Sequence, residues 1–253
     1  MSPKLKILLV LGIVTFGLLS FALAKTFLIE KVPVPHALVL FDSSDSVLGN
    51  CSSVAVLSRV AFKLPQMQSG STLTISATGG ESTANEPRMT GTYLVPISNK
   101  AFEGEKQGKQ KQEDLLTDIK EKCDQTPAAK TSSIFLGLKS GVEQLKSKGC
   151  NDKANCIVFV QSDLQENVEP QIKAAINGSK AGASKLPAPI DNRGIRVTIC
   201  GISETKGLVK ESNGNSRQLT RNRNAERSDL IRQVWGGLFT EPQLVTFSSF
   251  CPN

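Results

Sequence analysis

Apolar runs and helical periods take turns along the chain. "HALVLF", starting at His36, is a continuous apolar run with β-branched Val39, which predicts a buried strand. Residues 47 to 63 place Val47, Cys51, Val54, Leu57 and Ala61 at spacings of three and four, the period of a helix. "STLTISA" alternates Leu73 and Ile75 inward as a half-exposed strand, and past a turn-rich stretch "TYLVPI" suits an edge because Pro96 has no ladder donor. The two strands are expected to form a hairpin.

Residues 99 to 114 are polar, with both signs of charge, and are expected to form a solvated loop leading into a helix that holds Leu115, Leu116 and Ile119. The next helix carries Ile134, Leu138, Val142 and Leu145 on one stripe and stops at Gly149. "CIVFVQ" is a second fully buried strand, "NVEPQIKAAING" a short helix with Val168, Ile172 and Ile176 inward, and "GSKAGASKLPAPIDNR" a long loop. "GIRVTICGI" reads as a strand, residues 225 to 238 as a helix with Leu230, Ile231, Val234 and Leu238, and "QLVTFSSF" as the last strand. Buried strands alternating with helices imply an α/β fold, doubly wound around a parallel sheet.

The amino-terminal segment breaks this pattern. Lys4 and Lys6 precede an uncharged run from Ile7 to Ala24, and Lys25 closes it. Ala22-Leu23-Ala24 matches the small-x-small pattern of a signal-peptidase site, while the run is also just long enough to span a bilayer. A cleaved signal and a retained membrane anchor both remain open, and either places the following domain outside the cytoplasm. Residues 1–33 are therefore read as signal or anchor plus tether, and 34–253 as one domain.

Composition narrows the function. The formal charge is +7, and removing Lys4 and Lys6 from that figure leaves +5, a modest excess that mainly aids solubility. The basic stretch "RQLTRNRNAER" is interleaved with Asn and Glu226 and reads as a solvated loop-to-helix face. Aromatic residues make up 5%, with one Trp and one Tyr, too few for base-stacking platforms, so no nucleic-acid partner is expected. Six cysteines, Cys51, Cys123, Cys150, Cys156, Cys200 and Cys251, fall in a compartment where disulfides persist. They contain no CxxC pair, which disfavours zinc. The nearest two, Cys150 and Cys156, bracket a short polar loop and are expected to be bonded.

Ligands of doubly wound sheets gather at the carboxyl ends of the strands. Three polar clusters land there: Asp42-x-Ser44-x-Ser46, Thr131-Ser132-Ser133, and Ser162-Asp163. Carboxylates and hydroxyls are hard oxygen donors that suit Mg²⁺, with Mn²⁺ or Ca²⁺ as alternatives. Ser and Asp are also favoured helix N-caps, so each cluster has a purely structural reading beside the metal one.

With these residues the chain resembles the von Willebrand factor A-type, or integrin I-like, domain with its metal-ion-dependent adhesion site. Asp42, Ser44 and Ser46 match the first part of that site, Thr131 or Ser132 stands for its threonine, and Asp163 matches the carboxylate after the fourth strand. Leu164 stands where a glycine commonly follows. The resemblance spans roughly residues 36 to 250. It implies a mostly parallel sheet with one antiparallel edge strand and helices on both faces. It also implies Mg²⁺-dependent binding of a protein ligand whose acidic side chain completes the coordination. If Asp42 and Asp163 share one cation, they repel without it, so Asp42→Ala is expected to leave metal-free stability unchanged or slightly higher.

Other chemistries lack parts. Dehalogenase-type phosphotransfer needs Asp-x-Asp, and position 44 is Ser. His36, the single histidine, starts a strand whose other end lies roughly 20 Å away. Neither GxSxG nor a GxxxxGK[ST] loop occurs. An extracytoplasmic, non-enzymatic binding domain is expected, and a metal-free structural subunit of a cell-envelope assembly is the alternative.

Overall fold

The computed structural model describes residues 34–44, 51–64, 67, 71–78, 88–94, 105–129, 131–151, 156–166, 168–202, 208–210, 216–218 and 221–251. The expected signal or anchor, residues 1–33, lies outside the described residues, as do Val47 and Pro96.

Six strands form the main sheet in the order β3-β2-β1-β4-β5-β8. They are β1 (Ala37–Asp42), β2 (Thr72–Thr78), β3 (Arg88–Leu94), β4 (Cys156–Gln161), β5 (Ile195–Cys200) and β8 (Val245–Ser248). Every neighbouring pair is parallel except β2 with β3, which are antiparallel as expected, though β3 begins at Arg88, inside the stretch expected to turn, and residues 95–97 of the expected strand lie outside the described residues. The mostly parallel sheet with one antiparallel edge is thus the architecture that the resemblance implies.

β1 reads as a continuous apolar run because both its faces are covered. Ala37, Val39 and Phe41 pack under α1 (Cys51–Lys63) and α2 (Glu105–Asp124). Leu38 and Leu40 pack under α3 (Ile134–Ser147), α4 (Pro170–Ile176) and α6 (Arg221–Gly236). On that second face Gly137 and Gly141 bring α3 against the sheet so closely that a Cβ would collide with Thr78 and Leu38 respectively. The close approach buries Thr74, Ser76 and Thr78 on that face, while Leu73 and Ile75 are buried on the other with α1 and α2, so β2 is covered on both faces where half-exposure was expected.

Three further differences have local causes. The charged stretch expected as a loop is helical from Glu105, and among the residues of α2 whose burial is described Leu116, Ile119 and Cys123 form a thin buried stripe. Pairs four residues apart, Lys120 with Asp124 and Lys122 with Asp118, line its wet face. The long loop after Gly178 contains a short helix, α5 (Lys180–Ala183), which starts where the Ser179 hydroxyl accepts the Gly182 N–H. A small antiparallel pair, β6 (Leu208–Lys210) with β7 (Ser216–Gln218), precedes α6.

All six cysteines are bonded, as Cys51–Cys123, Cys150–Cys156 and Cys200–Cys251. The second is the pair expected from the short loop. Its separation is 6 residues, against 72 and 51 for the others. In a chain-entropy account the short closure stabilises by roughly 2 kcal/mol and each long one by roughly 4. Three such bonds belong to an oxidising compartment. Among the described residues no helix is long and apolar enough to cross a membrane.

The amino-terminal edge of the sheet holds a buried polar group. His36 is 8% exposed. Its Nδ1 lies 2.8 Å from the Thr72 hydroxyl and accepts the Thr72 backbone N–H at 3.2 Å. Burial, and then the charge of Lys148, hold the His36 pKa below its ordinary value. The folded chain therefore takes up this proton less readily than the unfolded chain. The resulting stability is complete above the unfolded value of about 6.5 and is lost as the pH falls below it. Thermal melts between pH ~8 and ~5.5 are expected to show a falling melting temperature, and His36→Gln, which keeps an acceptor but cannot titrate, should flatten that dependence.

Candidate metal centre

Strand register decides what meets Asp42. β1 and β4 are paired Leu40 with Val160 and Phe41 with Gln161, so the next position opposite Asp42 is Ser162. Side chains alternate between faces, so Asp42 continues the Leu38–Leu40 row and Ser162 the Val158–Val160 row on the α3 side. The Ser162 hydroxyl accordingly donates to Asp42 Oδ2 at 3.0 Å.

The approach to α3 supplies the other side chain. Ser132 precedes the helix and its hydroxyl donates to both Asp42 oxygens, at 3.0 and 3.1 Å. Ser44 N–H closes a tight turn onto Oδ1 at 2.9 Å. Asp42 is 3% exposed, and a carboxylate so far from solvent needs donors of this kind.

Ser43 fixes the surrounding backbone. Its N–H and hydroxyl both donate to the Thr78 carbonyl, at 3.0 and 2.6 Å, and its own carbonyl accepts the Ala129 N–H at 2.8 Å. Ser44 and Ala129 form an isolated parallel bridge. The end of β2, the turn after β1 and the segment before α3 are thereby pinned together.

Of the residues expected from sequence, Asp42, Ser44 and Ser132 converge. Thr131 is the half-buried neighbour of Ser132. Asp163 is half-buried one residue past Ser162, and its Oδ1 accepts the Gln165 N–H at 3.0 Å. Ser46 lies outside the described residues. Ser162 joins Asp42 although the sequence drew attention to its neighbour. The signal for it is the register of the two apolar runs, which sequence spacing alone does not supply.

Leu164 adopts a left-handed backbone, φ 59°, the region in which glycine is at ease. That explains why a glycine is common after the carboxylate in the family resembled. Here leucine holds the position with its side chain fully buried, and its backbone carbonyl accepts the Trp235 indole N–H at 3.2 Å.

Among the described residues no three His, Cys, Asp or Glu side chains converge. Beside the Ser44 backbone N–H, the oxygens gathered at this site are the Asp42 carboxylate and the Ser132 and Ser162 hydroxyls. All are hard oxygens, which fit Mg²⁺, Mn²⁺ or Ca²⁺ and do not fit a soft metal.

This strand order, with its one antiparallel edge, is an α/β fold consistent with that of von Willebrand factor A-type domains, which the chain resembles. No family model and no curated protein matches the chain in sequence. Among solved structures, proximal thread matrix protein 1 from the mussel byssus is similar at 16% identity and a TM-score of 0.44, over 86% of this chain and 44% of that one. Manganese-loaded TRAP protein of Plasmodium vivax is similar at 14% identity and a TM-score of 0.40, over 86% and 69%. A von Willebrand factor type A protein from Catenulispora acidiphila is similar at 10% identity and a TM-score of 0.38, over 81% and 43%. The chain spans less than half the length of the first of these. Likenesses this loose carry nothing about ligands, and the fold rests on the strand order itself.

The geometry changes one expectation. What faces Asp42 is three hydrogen-bond donors, which the side chain holds in place. Asp42→Ala leaves the Ser132 and Ser162 hydroxyls and the Ser44 N–H without their acceptor. It is expected to destabilise the metal-free fold by at least about 2 kcal/mol, measured by denaturant unfolding in chelator, where the repulsion argument required no loss.

Proposed function

We propose that this is an exported, non-enzymatic binding domain that takes a protein ligand through a divalent cation at the carboxyl edge of its sheet. The observation that carries the reading is the buried Asp42 carboxylate ringed by Ser44, Ser132 and Ser162. Asp42, Ser44, Ser46, Asp163 and one of Thr131 or Ser132 would hold Mg²⁺, with Mn²⁺ or Ca²⁺ able to replace it. A bound cation would supply a positive, oxygen-seeking centre able to take an acidic side chain of the partner. The protein's own residues orient that centre and keep its inner side dry.

The melting temperature in Mg²⁺ and in chelator tests this. A hundredfold excess over the dissociation constant is expected to add about 2.7 kcal/mol of stability, and Asp42→Ala should show no metal-dependent change. Absence of any shift in the wild type rejects the cation. A second reading, a metal-free structural subunit of an envelope assembly, is favoured by one observation: both Asp42 oxygens already accept hydroxyl protons. Affinity capture from the native envelope in Mg²⁺ and in chelator separates the two, since only the first reading loses its partner on chelation.

Residues 1–33 would tether or export the domain, which occupies 34–253. Lys4 and Lys6 before the Ile7–Ala24 run support this orientation, and three disulfides agree with an extracytoplasmic site. Protease added to intact spheroplasts is expected to digest the domain, and full protection there would reject the placement.

A further inference from the structure

A second buried carboxylate lies close to these segments in sequence and belongs to none of the expected clusters. Glu166 is 1% exposed. Its Oε1 accepts the Val168 N–H at 2.8 Å and the Glu169 N–H at 3.3 Å, and its Oε2 accepts the Phe135 N–H at 2.8 Å. Phe135 is the second residue of α3, and Ser133, which opens that helix, makes no side-chain cap of its own. Glu166 therefore provides from a distant segment what the helix start lacks, and its charge lies at the positive end of a 14-residue helix.

The two segments it joins are those that carry hydroxyls to Asp42. Ser132 stands three residues before Phe135, and Ser162 four residues before Glu166. Ser162 is further tied to its own loop, since its hydroxyl accepts the Leu164 N–H at 2.9 Å. Asp42 is thus approached by two hydroxyls from separate segments, and the Glu166 carboxylate, bonded to backbone of both, sets the distance between them. Cation sites demand ligand placement to within about 0.5 Å, a tolerance that a free loop pair does not hold.

We propose that Glu166 is a positioning residue: by clasping residues 133–135 to residues 166–169 it fixes the Ser132 and Ser162 hydroxyls about Asp42, and so sets the affinity of the site for its cation. The first half of this statement stands on hydrogen bonds alone, and the second rests on the cation reading given above.

The experiment compares the full wild-type chain, Glu166→Gln, and Leu145→Ala, a core truncation ten residues beyond Phe135 in α3 that removes none of the Glu166 hydrogen bonds. Amide hydrogen exchange is followed in chelator, and Mg²⁺ affinity by titration. In Glu166→Gln, exchange is expected to rise at Phe135 and Val168 and, by roughly tenfold, also at Ser44 and Leu164, whose N–H groups report on Asp42 and Ser162. Leu145→Ala, destabilised to a similar degree, should not single out those two amides. Mg²⁺ affinity should fall about tenfold or more in Glu166→Gln only. If Glu166→Gln does not fold, Glu166→Asp keeps the charge but shortens the reach, and the same amides are read. Exchange at Ser44 and Leu164 no faster than in Leu145→Ala overturns the proposal and leaves Glu166 a local helix cap. A wild type that binds no Mg²⁺ rejects the cation reading, while the exchange data still decide whether Glu166 positions the hydroxyls.

Discussion

A carboxylate taken out of water must be met by donors or it will protonate or pull the fold apart, and Asp42 sets that demand at the point where three segments meet. The turn after β1 answers with a backbone N–H, the lead-in to α3 with Ser132, and the end of β4 with Ser162. None of these segments is continuous with another. Their convergence is what turns the carboxyl edge of an ordinary α/β sheet into a defined site, and Ser43 and Glu166 are the backbone clasps that make it repeatable.

The same bonds define two states for one carboxylate. With hydroxyl protons aimed at its oxygens, Asp42 is satisfied by the protein alone. A hard cation approaching the same place would be met by hydroxyl oxygen lone pairs only after those protons turned elsewhere. A cation bound there, as proposed, would compete with the internal donors, and its affinity would depend on how cheaply serine hydroxyls rotate. Rotation about one such bond is a small cost compared with moving a loop.

Much of the sheet was legible because strands buried on both faces are written as unbroken apolar runs, as in "ALVLF" and "CIVFVQ". The helix over residues 105–124 was not, since Leu116, Ile119 and Cys123 leave little periodic signal and its many charges read equally well as a solvated loop. Asp42, Ser44 and Ser132 were visible as polar residues at strand and helix ends. Ser162 was visible as the neighbour of Asp163, but its meeting with Asp42 was not, and neither was Glu166, for a physical reason: the first is chosen by the register between strands, and the second by a helix start distant in sequence. Both are tertiary facts. Leu164 shows the converse case, in which a residue unsuited to its backbone angle is kept by what its side chain fills.

The Cys200–Cys251 bond has a mechanical consequence. Residues 201–250 lie within a covalent loop, so tension applied beyond Cys251 reaches the end of β5 through sulfur and bypasses α6 and β8. From there it runs through β4 to β1, whose opposite end leads to residue 34. The load enters at one end of the parallel strands and leaves at the other. The ladder hydrogen bonds between β5, β4 and β1 would then be sheared together instead of peeled one by one, the stiffer way to pull on a sheet.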